Sequence, residues 1–118
     1  MVKSLYHYKA FVASVYDGDT ITVDIDLGLH VTMKKEKIRL ARINAPELRG
    51  KEREEGIKSR DFLRERVLKK EIYLETIKDR KGKYGRYLGE IWLRGENGKY
   101  FNVNDELVEK GFAEYKEY

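Results

Sequence analysis

The sequence contains no cysteine, a single proline and only two histidines. Without cysteine there are no disulfides and no thiolate metal sites, and the redox compartment stays open. His7 and His30 have no H-x-x-H spacing, which argues against a histidine-ligated zinc site. No apolar run is long enough to span a bilayer. Residues 1–10 have no apolar core of the kind a signal peptide needs, so none is expected. A processed secreted form would read the same way, and localisation stays open between that and the cytoplasm.

What is present is charge. The 118 residues are 39% charged and 41% hydrophobic, with a net charge of +4. The length suits one domain, spanning residues 1–118, built around one core. The cations are unevenly placed. Four lie between Arg80 and Arg86 with no acid among them, and Arg39, Arg42 and Arg49 flank a second segment. Such clusters point to a polyanion partner such as nucleic acid and give no reason to expect a membrane.

The apolar pattern yields five strands and two helices. Tyr6 to Tyr16 is rich in aromatic and β-branched residues and predicts a first strand. Ile21 to Ile25 alternates with period two, a half-buried second strand. Val31 to Ile43 contains the third, clearest over Ile38 to Ile43, with Pro46 as its stop. If Ile38 and Leu40 enter the core, Arg39 points out of it. A helix over roughly Glu54 to Lys69 places Gly56, Ser59, Leu63 and Val67 on one stripe, with Phe62 beside it. Glu71 to Ile77 and Tyr87 to Leu93 predict the fourth and fifth strands, with Trp92 in the core, and Asn97-Gly98 a hairpin turn. Asn102 caps a short last helix, with Asp105 as its partner, Val103 and Leu107 on one face and Gly111 at the end. A short antiparallel meander with an inserted helix suggests an OB-type barrel.

Three short segments carry the chemistry: Asp17-Gly18-Asp19-Thr20, the stretch from Arg39 to Glu47, and Lys83-Tyr84-Gly85-Arg86. Alone, each has an ordinary reading. The first is a polar turn, since glycine permits the geometry and aspartate tolerates it. It is not an EF-hand, because Ile21, Val23 and Ile25 are apolar and no glutamate closes the loop. Arg39 reads as a solvated strand residue or, through its planar fork, a bidentate phosphate clamp. Glu47 reads as a loop residue or as a base for water. Together they supply a carboxylate for a hard cation, a second carboxylate for water and two arginines for one phosphate.

In this order and at these spacings the segments resemble the staphylococcal-nuclease-like (thermonuclease) family. The resemblance covers about Val15 to Ala113, nearly the whole chain. It implies an α+β, mainly β fold: a five-stranded OB-type β-barrel with two or three helices packed against it. It implies a calcium-dependent nuclease acting on DNA and RNA, preferably single-stranded, as a monomer. Such an enzyme cleaves the P–O5′ bond, leaves 3′-phosphates and has little base specificity. On the matching positions, Asp19, Asn44 and the Ala45 carbonyl hold Ca2+, Arg39 binds phosphate, and Glu47 activates water. Arg86 stabilises the transition state, Lys83 and Tyr84 hold a terminal phosphate, and Asp17 shapes the turn. One position departs from the family pattern: Asn44 stands where a second calcium-binding aspartate is expected. The rival reading is a catalytically weak or inactive OB-fold module that binds nucleic acid or a protein partner.

Overall fold

A computed structural model describes residues 6–81 and 85–116. Lys83 and Tyr84 lie outside the described residues. The strands are β1 (His7–Asp17), β2 (Thr20–Gly28), β3 (Val31–Leu40), β4 (Ile43–Asn44), β5 (Glu71–Lys81), β6 (Tyr87–Arg94), β7 (Tyr100–Asn102) and β8 (Glu114–Tyr115). The helices are α1 (Arg53–Val67) and α2 (Val103–Glu109), with a 3-10 turn at Gly50–Glu52. No helix among the described residues is long and apolar enough to cross a membrane.

The main sheet runs β3-β2-β1-β5-β6-β7, and β3 also pairs with β6 to close a five-stranded barrel. Neighbours β3 to β6 around the sheet are antiparallel. With an odd number of strands, alternation cannot continue around a closed ring. The closing seam is therefore parallel, with Ile38, Arg39 and Leu40 opposite Tyr87, Leu88 and Gly89. Gly89 makes the seam possible, because a Cβ there would meet Leu74 and Ile38 side chains at 2.8 and 2.9 Å. Irregularities in the β1–β2 pairing after Val12 and Val15 bend the ribbon toward closure.

Val12, Ile21, Val23, Ile38, Leu40, Leu74 and Ile91 fill the barrel with no exposed surface. Helix α1 covers one end and buries the expected stripe of Gly56, Ser59, Leu63 and Val67. Phe62 stacks on Phe112, ring centres 4.7 Å apart. At α2, the Asn102 side chain accepts from the Asp105 N–H at 2.9 Å, the expected cap.

Three expectations need correction. The third strand ends at Leu40, not Ile43, because Arg42 takes a left-handed backbone (φ +68°). The chain then turns, and Ile43-Asn44 pairs with Glu114-Tyr115. Pro46 therefore follows a separate short strand. Arg42 holds the turn from outside, with its guanidinium on Glu90 at 2.7 and 2.8 Å and Asp105 at 2.9 Å. Arg39 does leave the core face, but β4 folds over it and leaves it 7% exposed. Trp92 is half-buried at the rim, its indole N–H donating to Glu75 Oε1 at 3.1 Å.

Candidate active site

The β1–β2 turn sets the first element of the site. The Asp19 N–H donates to Asp17 Oδ1 at 3.1 Å, which tightens the turn as an Asx motif does. Gly18 lies where a Cβ would collide with the Ser59 hydroxyl and meet Ala45 Cβ at 2.8 Å. The turn is thus clamped between α1 and the segment after β4. A Cβ at Gly56 would likewise run into the Glu47 carbonyl oxygen. Two glycines and one serine bring three segments, distant in sequence, to one rim of the barrel.

Asp19 lies at the centre of this rim, 6% exposed. Its Oδ2 accepts from the Ala45 N–H at 2.8 Å and lies 3.3 Å from Arg39 Nη2. Its Oδ1 accepts from the Thr20 hydroxyl at 3.2 Å. Arg39 donates through Nη1 to the carbonyls of Leu40 and Ile43, at 2.9 and 3.0 Å, and through Nη2 to Asn44 Oδ1 at 3.2 Å. Arg86 donates to Thr20 Oγ1 at 3.3 Å. A continuous polar chain therefore runs Arg86–Thr20–Asp19–Arg39–Asn44.

Asp17 feels the same concentration of charge. Burial, then the Asp19 carboxylate beside it, pushes its carboxyl up to about 6, with Arg39 opposing. Glu47 is exposed just beyond Pro46, its N–H donating to Glu52 Oε1 at 3.4 Å. Its carboxylate has no hydrogen-bond or ion-pair partner among the described residues.

The structure thus brings Asp19, Arg39, Asn44, Ala45 and Arg86 together and holds Glu47 on the adjoining loop. Asp19 Oδ2 and Asn44 Oδ1 converge on one guanidinium nitrogen. Carboxylate and amide oxygens are the donors that calcium prefers. The donors fit a hard cation in kind and are poor in charge. Among the described residues no three His, Asp or Glu side chains cluster as a ready-made metal site.

Sequence reasoning misses two contributors. Thr20 links Arg86 to Asp19, and only its place beside Asp19 in the motif hints at this. Asn104 is fully buried, donates to the Ala41 and Gly89 carbonyls at 3.0 Å and accepts from the Ile91 N–H at 3.2 Å. It ties α2 to both strands of the closing seam, and no local pattern reveals that role.

The family described as staphylococcal nuclease homologue matches residues 37–118. The thermonuclease of Staphylococcus hyicus is 31% identical over 110 residues, covering 91% of this chain and 59% of that protein. The thermonuclease of Staphylococcus intermedius is 32% identical over 110 residues, with the same coverage of 91% and 59%. An uncharacterized protein of Methanocaldococcus jannaschii is 28% identical over 128 residues, covering 91% of this chain and 58% of that protein. The chain thus spans 58–59% of the length of these relatives.

Proposed function

The chain belongs to the staphylococcal nuclease family, and we propose that it is a calcium-dependent nuclease that hydrolyses P–O5′ bonds of DNA and RNA and leaves 3′-phosphates. The observation that carries this reading is the polar chain joining Asp19, Arg39, Asn44 and Arg86 through Thr20. Two cationic forks flank one carboxylate at a barrel rim, an arrangement suited to a phosphodiester in transit between charge states.

Asp19, the Asn44 amide oxygen and the Ala45 carbonyl are the groups that would hold the cation. When bound, it supplies Lewis-acid polarisation of a phosphoryl oxygen. Glu47 accepts a proton from the attacking water, whose oxygen bonds to phosphorus as the P–O5′ bond breaks. The O5′ takes a proton from solvent water and leaves as an alcohol, and Glu47 returns its proton to solvent. Arg39 and Arg86 neutralise the charge that builds on the phosphoryl oxygens. These contacts address phosphate and not base edges, so base preference is weak.

Asn44 favours the second reading, a catalytically weak nucleic-acid-binding module, because it lowers the negative charge available to a cation. Digestion of single-stranded DNA and RNA with calcium, with magnesium and with chelator separates the two. Calcium-dependent degradation with 3′-phosphate ends supports the enzyme. Intact strands that remain bound at every calcium concentration support the module.

A further inference from the structure

A groove of about 660 Å³ runs along the outside of the barrel beside this site. That is within the ~300–1,000 Å³ range of ligand sites. Its floor follows from strand register. Ile21 and Ile38 point inward, so Thr22 and Lys37, paired across β2 and β3, point outward, and Ser14 pairs with Thr22 from β1. Hydroxyls therefore pave the floor. Lys37 stands on one side, and Arg60 and Arg64 of α1 form the opposite wall. Arg86 also lines the groove, and its bond to Thr20 makes the groove continuous with the polar chain around Asp19.

The charge segregation is the telling feature. The chain as a whole holds 25 lysines and arginines against 21 acids. Yet the groove is lined by four cations and no carboxylate. Arg60 is paired with Asp61 at 3.1 Å and Arg64 donates to the Val15 carbonyl at 3.3 Å. Among the described residues neither Lys37 nor Arg64 has a carboxylate partner. At the groove edge Tyr16 is 69% exposed, and Leu48 is half-buried on the lining. A tyrosine ring held out in water in the same groove as Lys37 and Arg64 offers a stacking platform for a base next to a track for phosphates.

We propose that this groove is a second binding site, which takes the backbone of a single nucleic-acid strand on one side of the phosphate held at Asp19, Arg39 and Arg86. Lys37 and Arg64 contact successive phosphates, and Tyr16 stacks on an unpaired base. The assignment rests on the nuclease reading for its substrate. Its binding element is testable without catalysis.

The test is fluorescence anisotropy of a labelled single DNA strand of about twenty nucleotides, in chelator so that no cleavage occurs. The Lys37→Ala/Arg64→Ala protein should bind about tenfold more weakly, and the slope of log affinity against log salt should shrink by about 1.4, for two lost phosphate contacts. Tyr16→Ala should lose about fivefold or more in affinity. Lys37→Ala alone, which touches no backbone carbonyl, guards against misfolding of the double variant. With calcium, the double variant should show a raised KM on the long strand and an unchanged rate on a dinucleotide. Unaltered long-strand affinity and salt slope in folded variants overturn the groove. So does an equal loss on the dinucleotide. Competition by duplex as strong as by single strand overturns the single-strand assignment. If wild-type protein cleaves nothing but the variants still bind less tightly, the groove stands and the nuclease reading fails.

Discussion

Arg39 Nη2 lies 3.3 Å from Asp19 Oδ2, with both side chains more than nine-tenths buried. A guanidinium in this place serves two ends. It neutralises the carboxylate where water cannot, and it ties the end of β3 to β4 through the Leu40 and Ile43 carbonyls. Arg39→Lys keeps the charge and loses the fork. It should cost about 1–3 kcal/mol of stability, because buried carbonyls lose their donors. Urea unfolding in chelator measures that cost apart from any loss of activity.

Asn44→Asp adds a second carboxylate beside the same guanidinium nitrogen. Calcium affinity should rise about tenfold, or ~1.4 kcal/mol, and the gain should fall only slightly in high salt because contact charges are poorly screened. Calorimetric titration of both proteins reads it directly. Equal affinities would show that position 44 does not face the cation.

Glu47→Gln should lower kcat by about two decades or more while leaving the midpoint of thermal unfolding in place. The residue is exposed and its carboxylate is unpaired among the described residues, so the change removes the proposed base and no structural contact. Arg86→Ala should lower kcat by a similar factor. Wild-type rates in both folded variants would move the active site elsewhere.

Asp17 gives the protein a pH-dependent weakness. Its carboxyl is raised from 3.8 to about 6 by burial and by Asp19. Across that window the folded protein holds a proton that the unfolded chain has released, so this stabilisation is complete at low pH and disappears as the pH rises through about 6. Asp17→Asn keeps the acceptor for the Asp19 N–H and removes the titration. It should stabilise the chain at neutral pH by about 1–2 kcal/mol, the linkage being reduced by partial solvent access, and should have little effect near pH 3. Denaturation midpoints of the two proteins across the range give the curve.

Gly18→Ala tests the clamp on the β1–β2 turn. A methyl group there meets Ser59 and Ala45. The turn must move away from α1, at a cost of about 1–3 kcal/mol. Gly18→Ala combined with Ser59→Gly should recover part of that loss, because the larger obstruction is the serine side chain.

Much of this was legible from residue order because it is local. The stripe on α1, the Asn102 cap and the alternation of β2 each depend on neighbours within a turn or two. The meeting of Asp19, Arg39, Asn44 and Arg86 was legible through the resemblance, which carries long-range information that periodicity lacks. What could not be read arises from contacts between distant segments. The left-handed Arg42 makes sense only beside Glu90 and Asp105. The burial of Arg39 depends on β4, a two-residue strand that exists because Glu114-Tyr115 comes to pair with it. Trp92 reads as core by type, yet its indole nitrogen found Glu75 at the rim.

The parallel seam between β3 and β6 has a kinetic meaning. It joins residues 38–40 to residues 87–89, whereas β1, β2 and β3 pair with their immediate neighbours in the chain. Contacts across such a separation close a long loop and are slow to form. Arg39 lies in one strand of the seam and Arg86 immediately precedes the other. The two cations that would grip a phosphate come to one rim only when β6 docks against β3. A growing or half-folded chain therefore holds Arg39 and Arg86 apart, and the arrangement proposed for the phosphate exists only in the finished barrel.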